Sequence, residues 1–343
     1  MPGPCIHRYP YGALHAINAE TGQPCRNFSN KGVLDLTVGI DNLRPGDDGV
    51  TSPVAVLPDR IIVGSAIGDN GGVELEQGIV RALDPVTGRL LWSWDPIPRS
   101  SADPAFETWP STSARITGAA NAWAPISVDP ERQLVFVPTS SPSPDFYGGE
   151  RHGRNDYANS IVALDSNTGK VIWHQQLVHH DIWDYDVPAE PSLMMIRRGD
   201  RQIPVVVIVT KTGMLYAFNR ETGESLYEIE ERPVPASDVP GELAHPTQPF
   251  SSIIVGDQRA LGPEDAFGIA IFDKMGCEEI LSTYRSEGIF TPPSIGGTIE
   301  YPGWAGGVNW GGVALDESRQ IAVMNLMDTP GLIKLLPGMS STG

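Results

Sequence analysis

The chain has 343 residues, enough for one large domain or two ordinary ones with a sizeable core. Its 37 glycines and 31 prolines, together about a fifth of the chain, accompany plentiful aliphatic residues, a balance that suggests short strands and tight turns and not disorder. A formal charge of −18 argues against a nucleic-acid partner, which needs clustered Lys and Arg, and equally against an anionic membrane surface.

In chain order, the opening residues carry no basic stretch followed by an apolar one, so no secretory leader is expected there. Cys5 and Cys25 bracket a hairpin-like segment. A bridge between them would close a loop of about 20 residues and contribute roughly 3 kcal/mol; two unpaired buried thiols fit the spacing as well. From residue 14 one pattern keeps returning: "LHAINAETGQPC" (14–25), "VRALDPVTGRLLWSW" (80–94), "IVALDSNTGKVIWHQ" (161–175) and "LYAFNRETGESLYEI" (215–229). In each, an apolar strand runs into Asp or Asn, then two residues, Thr-Gly, and a second strand. Asp or Asn caps a hairpin turn and Gly takes the positive φ that sends the chain back. Trp92 and Trp173 on the second strands are placed to fill the space between neighbouring sheets.

Looser versions stand at 126–138 ("ISVDPERQLVFVP") and 313–325 ("VALDESRQIAVMN"), while the proline-rich stretches 96–110 and 232–250 read as loops. The longest apolar run, "IPVVVIV" at 203–209, is far too short to span a bilayer, and long helical periodicity is missing. Sheets repeated with uneven insertions predict an all-β propeller of four-stranded antiparallel blades. At roughly 40 to 60 residues per blade, residues 1–343 form one domain of about five or six blades.

The stretch 177–191, "LVHHDIWDYDVPAEP", is too polar for a core strand and too aromatic for an ordinary loop. If it is a strand, Ile182, Asp184 and Asp186 share one face, and Asp181 and Trp183 the other. His179 and His180 would then face opposite ways, and with no Cys or His cluster nearby they do not form a zinc site. Cys277 has no His partner that would make it a nucleophile. The glycine-rich segment 295–312 lacks the strand–GxGxxG–helix context of nucleotide binding.

The Thr-Gly hairpins with a following Trp resemble the blades of quinoprotein dehydrogenases. So do "HHDIWDYDVPAEP", "TKTG" (210–213), the run 118–149, "EGIFTPPSIGGTIEYPG" (287–303) and "GGVNWGG" (306–312), which are similar to the membrane-bound glucose dehydrogenase branch and its quinate and polyol relatives. The resemblance covers essentially the whole chain and implies an eight-bladed propeller of which this chain lacks N- and C-terminal blades. It implies hydride transfer from an alcohol, sugar or polyol to pyrroloquinoline quinone (PQQ), with electrons passed to a respiratory quinone or another acceptor in the periplasm.

By that resemblance Asp184 is the base and Lys211 holds charge on the quinone, the two lying on opposite sides of the planar oxidant. Trp123 is the floor beneath the quinone. Ser143, Asn70 and Trp310 reach the cofactor, Trp310 together with Trp304 and Asn309 in a funnel towards the substrate. Asp69 and Asp145 take a divalent cation, calcium or magnesium, through oxygen. Each residue has a plainer account out of this context: a turn cap for Asp184, a solvated ammonium for Lys211, blade packing for the tryptophans. Two alternatives to the enzyme are a non-catalytic propeller scaffold of the outer-membrane assembly type and an inactive truncated paralogue.

Overall fold

Each of the four Thr-Gly repeats folds into the same turn. The computed structural model describes residues 4–9 by their backbone and residues 12–44, 47, 49–68, 70–110 and 112–337 in full. The Asp84 carboxylate accepts from the backbone N–H groups of Val86 (2.9 Å) and Thr87 (2.8 Å), and Asp165 from those of Asn167 (3.0 Å) and Thr168 (2.8 Å). Asn18 and Asn219 do the same with their amide oxygens. The turn glycine follows at φ of +68 to +72° in Gly22, Gly88, Gly169 and Gly223, a region that costs a residue with a Cβ.

The strands flanking these turns build antiparallel sheets. β1 (Pro4–Tyr9), β2 (Ala13–Asn18) and β3 (Val33–Asp35) form the first. The second is β4 (Ala55–Leu57), β5 (Arg60–Val63), β6 (Val80–Leu83) and β7 (Leu90–Trp94). The third is β8 (Ser127–Asp129), β9 (Leu134–Pro138), β10 (Ser160–Asp165) and β11 (Val171–Gln176). In the fourth, β12 (Ser192–Arg198), β13 (Arg201–Val209) and β14 (Met214–Asn219) take their outer partner from further along the chain. After Gly223 the expected second strand shrinks to one bridge, Phe218 to Ser225, and the 232–250 region is not all loop. It is bracketed by β15 (Ile229–Pro233) and β16 (Thr247–Ser251), which pair with each other, and β17 (Ile253–Ile254) then closes on β14. β18 (Thr298–Glu300) pairs with β21 (Gly331–Ile333), and β19 (Val313–Asp316) with β20 (Ile321–Met324).

Strands buried on both faces hold the sheets against one another. On β5, Ile61 and Val63 join Leu14 and Ala16 of the first sheet and Phe28 from the turn between β2 and β3, whereas Ile62 points the other way, to Val135 and Val137 of the third. β13 repeats this: Val206 and Ile208 meet Phe136 and Trp173, and Val205, Val207 and Val209 meet Val313 and Leu315. A period of two with apolar residues on both faces is what stacked blades require.

Trp92 and Trp173 fill the gaps as expected, and each docks on the next blade's turn. The Trp92 indole N–H donates to the Ser166 carbonyl at 2.8 Å, and that of Trp173 to the Arg220 carbonyl at 2.9 Å. A Cβ on Gly169 would lie 2.6 Å from the Trp92 ring, and one on Gly223 2.7 Å from the Trp173 ring. The Thr-Gly glycine therefore answers to two demands, its own φ and the ring of the preceding blade. Gly22 shares the φ but has nothing within 4 Å of its would-be Cβ. Gly22→Ala should thus lose about 1–2 kcal/mol for the left-handed conformation alone, and Gly223→Ala about 1–3 kcal/mol more for overpacking against Trp173. Urea midpoints of the two variants measure the difference; equal losses would remove the docking role.

The helix Ile271–Thr283 was not foreseen. Its apolar residues Ile271, Phe272, Met275 and Ile280 are exposed, so no buried stripe of helical period marks it in the sequence. Among the described residues no helix is long and apolar enough to cross a membrane. Cys25 and Cys277 are free thiols, so the unpaired alternative holds at Cys25; the Cys5 side chain lies outside the described residues.

Candidate active site

In an antiparallel blade, alternate connections emerge on the same face. The connections between second and third strands therefore share a face with those leading from one blade to the next. Ile67, Asp145 and Lys211 come from the former; Thr51, Trp123, Asp184 and Asp186 come from the latter. They surround a cavity of about 240 Å³.

The segment 177–191 supplies the acidic wall, but not as a strand. His180 and Asp184 have φ of +45° and +57°, which no strand accommodates. Buried Asp181 causes the departure: its carboxylate accepts from the Trp183 N–H (3.0 Å) and the Tyr185 N–H (2.9 Å). Asn159 (2.9 Å) and the Ser141 hydroxyl hold the same carboxylate from outside. The backbone curls around Asp181, and the alternation expected of a strand does not apply. Trp183 is fully buried, donates to the Thr291 carbonyl at 2.9 Å and lies with Tyr185 and Phe290 in the blade core. His179 and His180 are buried anchors that reach Glu231 (2.9 Å) and Glu242 (2.8 Å). Burial, against the pull of Glu231, lowers the His179 pKa to about 4. Among the described residues no group of three His, Cys, Asp or Glu side chains could hold a metal alone.

Lys211 follows β13 in the Thr-Lys-Thr-Gly turn and meets this wall. Its ammonium lies 3.0 Å from Asp184 and 3.0 Å from Asp186. Carboxylate and ammonium thus stand side by side in direct contact, which differs from the expectation that they lie on opposite sides. The glycine-rich segment explains how the lysine is held. A Cβ on Gly306 would fall 2.7 Å from the Lys211 stem, and the Gly307 N–H donates to the Lys211 carbonyl at 2.6 Å.

Two carboxylates facing one buried ammonium shape the proton affinities. Burial first, and then the charge of Asp186, lift the Asp184 pKa well above the carboxylate range, with Lys211 opposing. For Lys211 burial works against the charge, but Asp186 and Asp184 outweigh it and hold its pKa above the ordinary lysine value. A carboxylate of raised affinity next to a permanent cation, in a cavity open to substrate, is suited to general-base chemistry.

Trp123 lines the same cavity. Its indole N–H donates to Asp186 at 3.2 Å and its carbonyl accepts from the Thr51 hydroxyl at 2.9 Å. Asp145 is also a lining residue. The other expected residues stand elsewhere. Ser143 donates its hydroxyl to the Gly72 carbonyl and is not among the residues lining the cavity. Asn70 accepts from the Asp145 N–H at 3.3 Å, one step behind the wall. Trp310 is 76% exposed and Asn309 caps its own turn, so neither lines the cavity. Trp304 packs edge-on against Phe146, with ring centres 6.4 Å apart. Asp69 lies outside the described residues. Sequence reasoning had given no role to Asp186 or Ser141; the Asp-Tyr-Asp spacing was the one available sign.

Comparison with known proteins places the chain among relatives. The family model described as "PQQ: Glucose/ethanol/alcohol dehydrogenase, beta-propeller domain" matches residues 5–342. The quinoprotein glucose dehydrogenase of Escherichia coli (strain K12) is 38% identical over 328 residues, covering 95% of this chain and 41% of that protein. The quinate/shikimate dehydrogenase (quinone) of Acinetobacter baylyi is 36% identical over 321 residues, covering 92% of this chain and 39% of that protein. The chain therefore spans about two fifths of the length of these relatives. A solved quinohemoprotein alcohol dehydrogenase from Pseudomonas putida HK5 superposes with a TM-score of 0.70 at 20% identity, covering 98% of this chain and 44% of that one, and shares the fold.

Proposed function

Because the chain belongs to the PQQ glucose/ethanol/alcohol dehydrogenase β-propeller family, we propose that its cavity serves the PQQ-dependent oxidation of an alcohol, sugar or polyol. The observation that carries this reading is the meeting of Asp184, Lys211 and Trp123 in one cavity, the first two in direct contact at 3.0 Å. The residues present fit a flat, anionic quinone: Trp123 offers a broad π surface fixed at both its N–H and its carbonyl, and Lys211 offers a buried positive charge. When bound, PQQ supplies the acceptor for the substrate's hydride. Asp184 takes the hydroxyl proton, Lys211 stabilises negative charge that develops beside it, and the surrounding loops keep bulk water from the pair.

A divalent cation, calcium or magnesium, takes oxygen donors, and the Asp145 carboxylate at the cavity wall is of that kind. Electrons would leave to a respiratory quinone or another acceptor, in the periplasm. A scaffold needs the hairpins but has no use for a buried Asp–Lys–Asp cluster, since such ion groups are often replaced by apolar residues without loss of stability.

The protein supplied with PQQ and calcium should reduce an artificial dye on addition of sugars, polyols or cyclic hydroxy acids, and only when PQQ is present. Dye reduction indifferent to PQQ, or no reduction with any of these substrates, would remove the proposal.

A further inference from the structure

The two carboxylates beside Lys211 do different work. Asp184 has Lys211 as its close polar partner, and its side chain is 19% exposed to the cavity. Asp186 is committed on both oxygens. Its Oδ2 accepts from the Trp123 N–H (3.2 Å) and from the Lys211 ammonium (3.0 Å). Its Oδ1 accepts from the Ser141 N–H (2.8 Å), and the Ser141 hydroxyl, whose proton goes to Asp181, lies 3.1 Å from it. One side chain thereby joins three connections from different parts of the chain: those carrying Trp123, Ser141 and Lys211.

We propose that Asp186 is a positioning residue that fixes Trp123 and Lys211 against each other and keeps the Lys211 ammonium shared between two carboxylates. The role rests on reading Asp184 as the base. Both oxygens of Asp186 are taken up by donors of the protein, so neither is left to meet a substrate hydroxyl and Asp186 cannot take the place of Asp184. Sharing the ammonium matters for Asp184. Paired with Lys211 alone, Asp184 would be held as a tight ion pair and would give up its affinity for the substrate proton. Asp186 prevents this twice over, by drawing on the same ammonium and by placing a second negative charge nearby.

Asn at 186 keeps the shape but leaves a single oxygen, too few for the Trp123–Lys211 side and the Ser141 side together. The test is a ¹³C-NMR titration of aspartate carboxyls in the cofactor-free protein, with the Asp184 signal assigned by its loss in Asp184→Asn. In Asp186→Asn the Asp184 midpoint should move to lower pH, and Trp123 emission, assigned by difference from Trp123→Phe, should change. In the loaded enzyme the acid limb of the kcat/KM profile should shift in the same direction. Asp186→Glu keeps the charge and displaces the oxygens: the midpoint should stay near that of the parent while Trp123 emission changes, a pair of results available even if the Asn variant does not fold. An unmoved or raised Asp184 midpoint in Asp186→Asn, or unaltered Trp123 emission in Asp186→Glu, would overturn the role. Retained oxidation by Asp184→Asn alongside a shifted midpoint would instead remove the base and leave the coupling standing.

Discussion

Asp184→Asn should lower kcat/KM for dye-linked alcohol oxidation by about 10²- to 10⁴-fold, the contribution expected of a positioned base. The substitution is well suited to isolate that contribution. Asp184 sits at φ +57°, and Asn tolerates this left-handed conformation better than most residues do, so the loop around Asp181 keeps its course. Lys211 retains Asp186 as a full ionic partner, so no buried charge is stranded. Quinone retained on the purified variant, seen by its absorbance, separates loss of chemistry from loss of binding. Activity within a few-fold of the parent would remove Asp184 from the mechanism.

Lys211→Met should destabilise the fold by about 3–5 kcal/mol near neutral pH, because it leaves two buried carboxylates facing each other without their cation. The pH dependence follows from the direction of the Asp184 shift. Burial and Asp186 already raise its pKa, and Lys211 is the group that opposes the rise. Removing Lys211 lifts it further, so the folded variant binds a proton that the unfolded chain releases. Stability is then fully present below the unfolded carboxylate value of about 3.9 and is lost as pH rises through the folded value. Urea midpoints for parent and variant at mildly acidic and mildly alkaline pH should converge on the acidic side and separate on the alkaline side. A deficit that grows on acidification would contradict the ion cluster.

Much of the fold is legible in the sequence because its signals are local. The Asp84 and Asp165 turns depend on atoms two and three residues apart, and Trp92 and Trp173 lie at the same offset from their glycines. The site is different, since it is assembled from connections of several blades. Asp184, Lys211 and Trp123 were identified through resemblance, and no periodicity would have found them. Strand alternation failed between Asp181 and Asp186 because a buried carboxylate, and not a ladder, directs the backbone there. Ser143 lies close in sequence to the cavity residues Ser141 and Asp145, yet its hydroxyl is spent on Gly72. Such distinctions depend on which way a loop residue turns, and neighbouring residues do not record it. Asp186 shows the same limit from the other side: its partners Trp123, Ser141 and Lys211 lie on three other segments.

One face of the stacked sheets gathers Trp123, Asp184 and Lys211 around one cavity, which we propose as the receptor for a planar quinone. Equilibrium titration of PQQ into the purified protein, read by quinone absorbance co-eluting on gel filtration, tests it most directly. Saturable binding of a single quinone per chain is expected, weakened at least about tenfold in Trp123→Ala through loss of the stacking surface. Equal retention by parent and variant, or none by either, would contradict it.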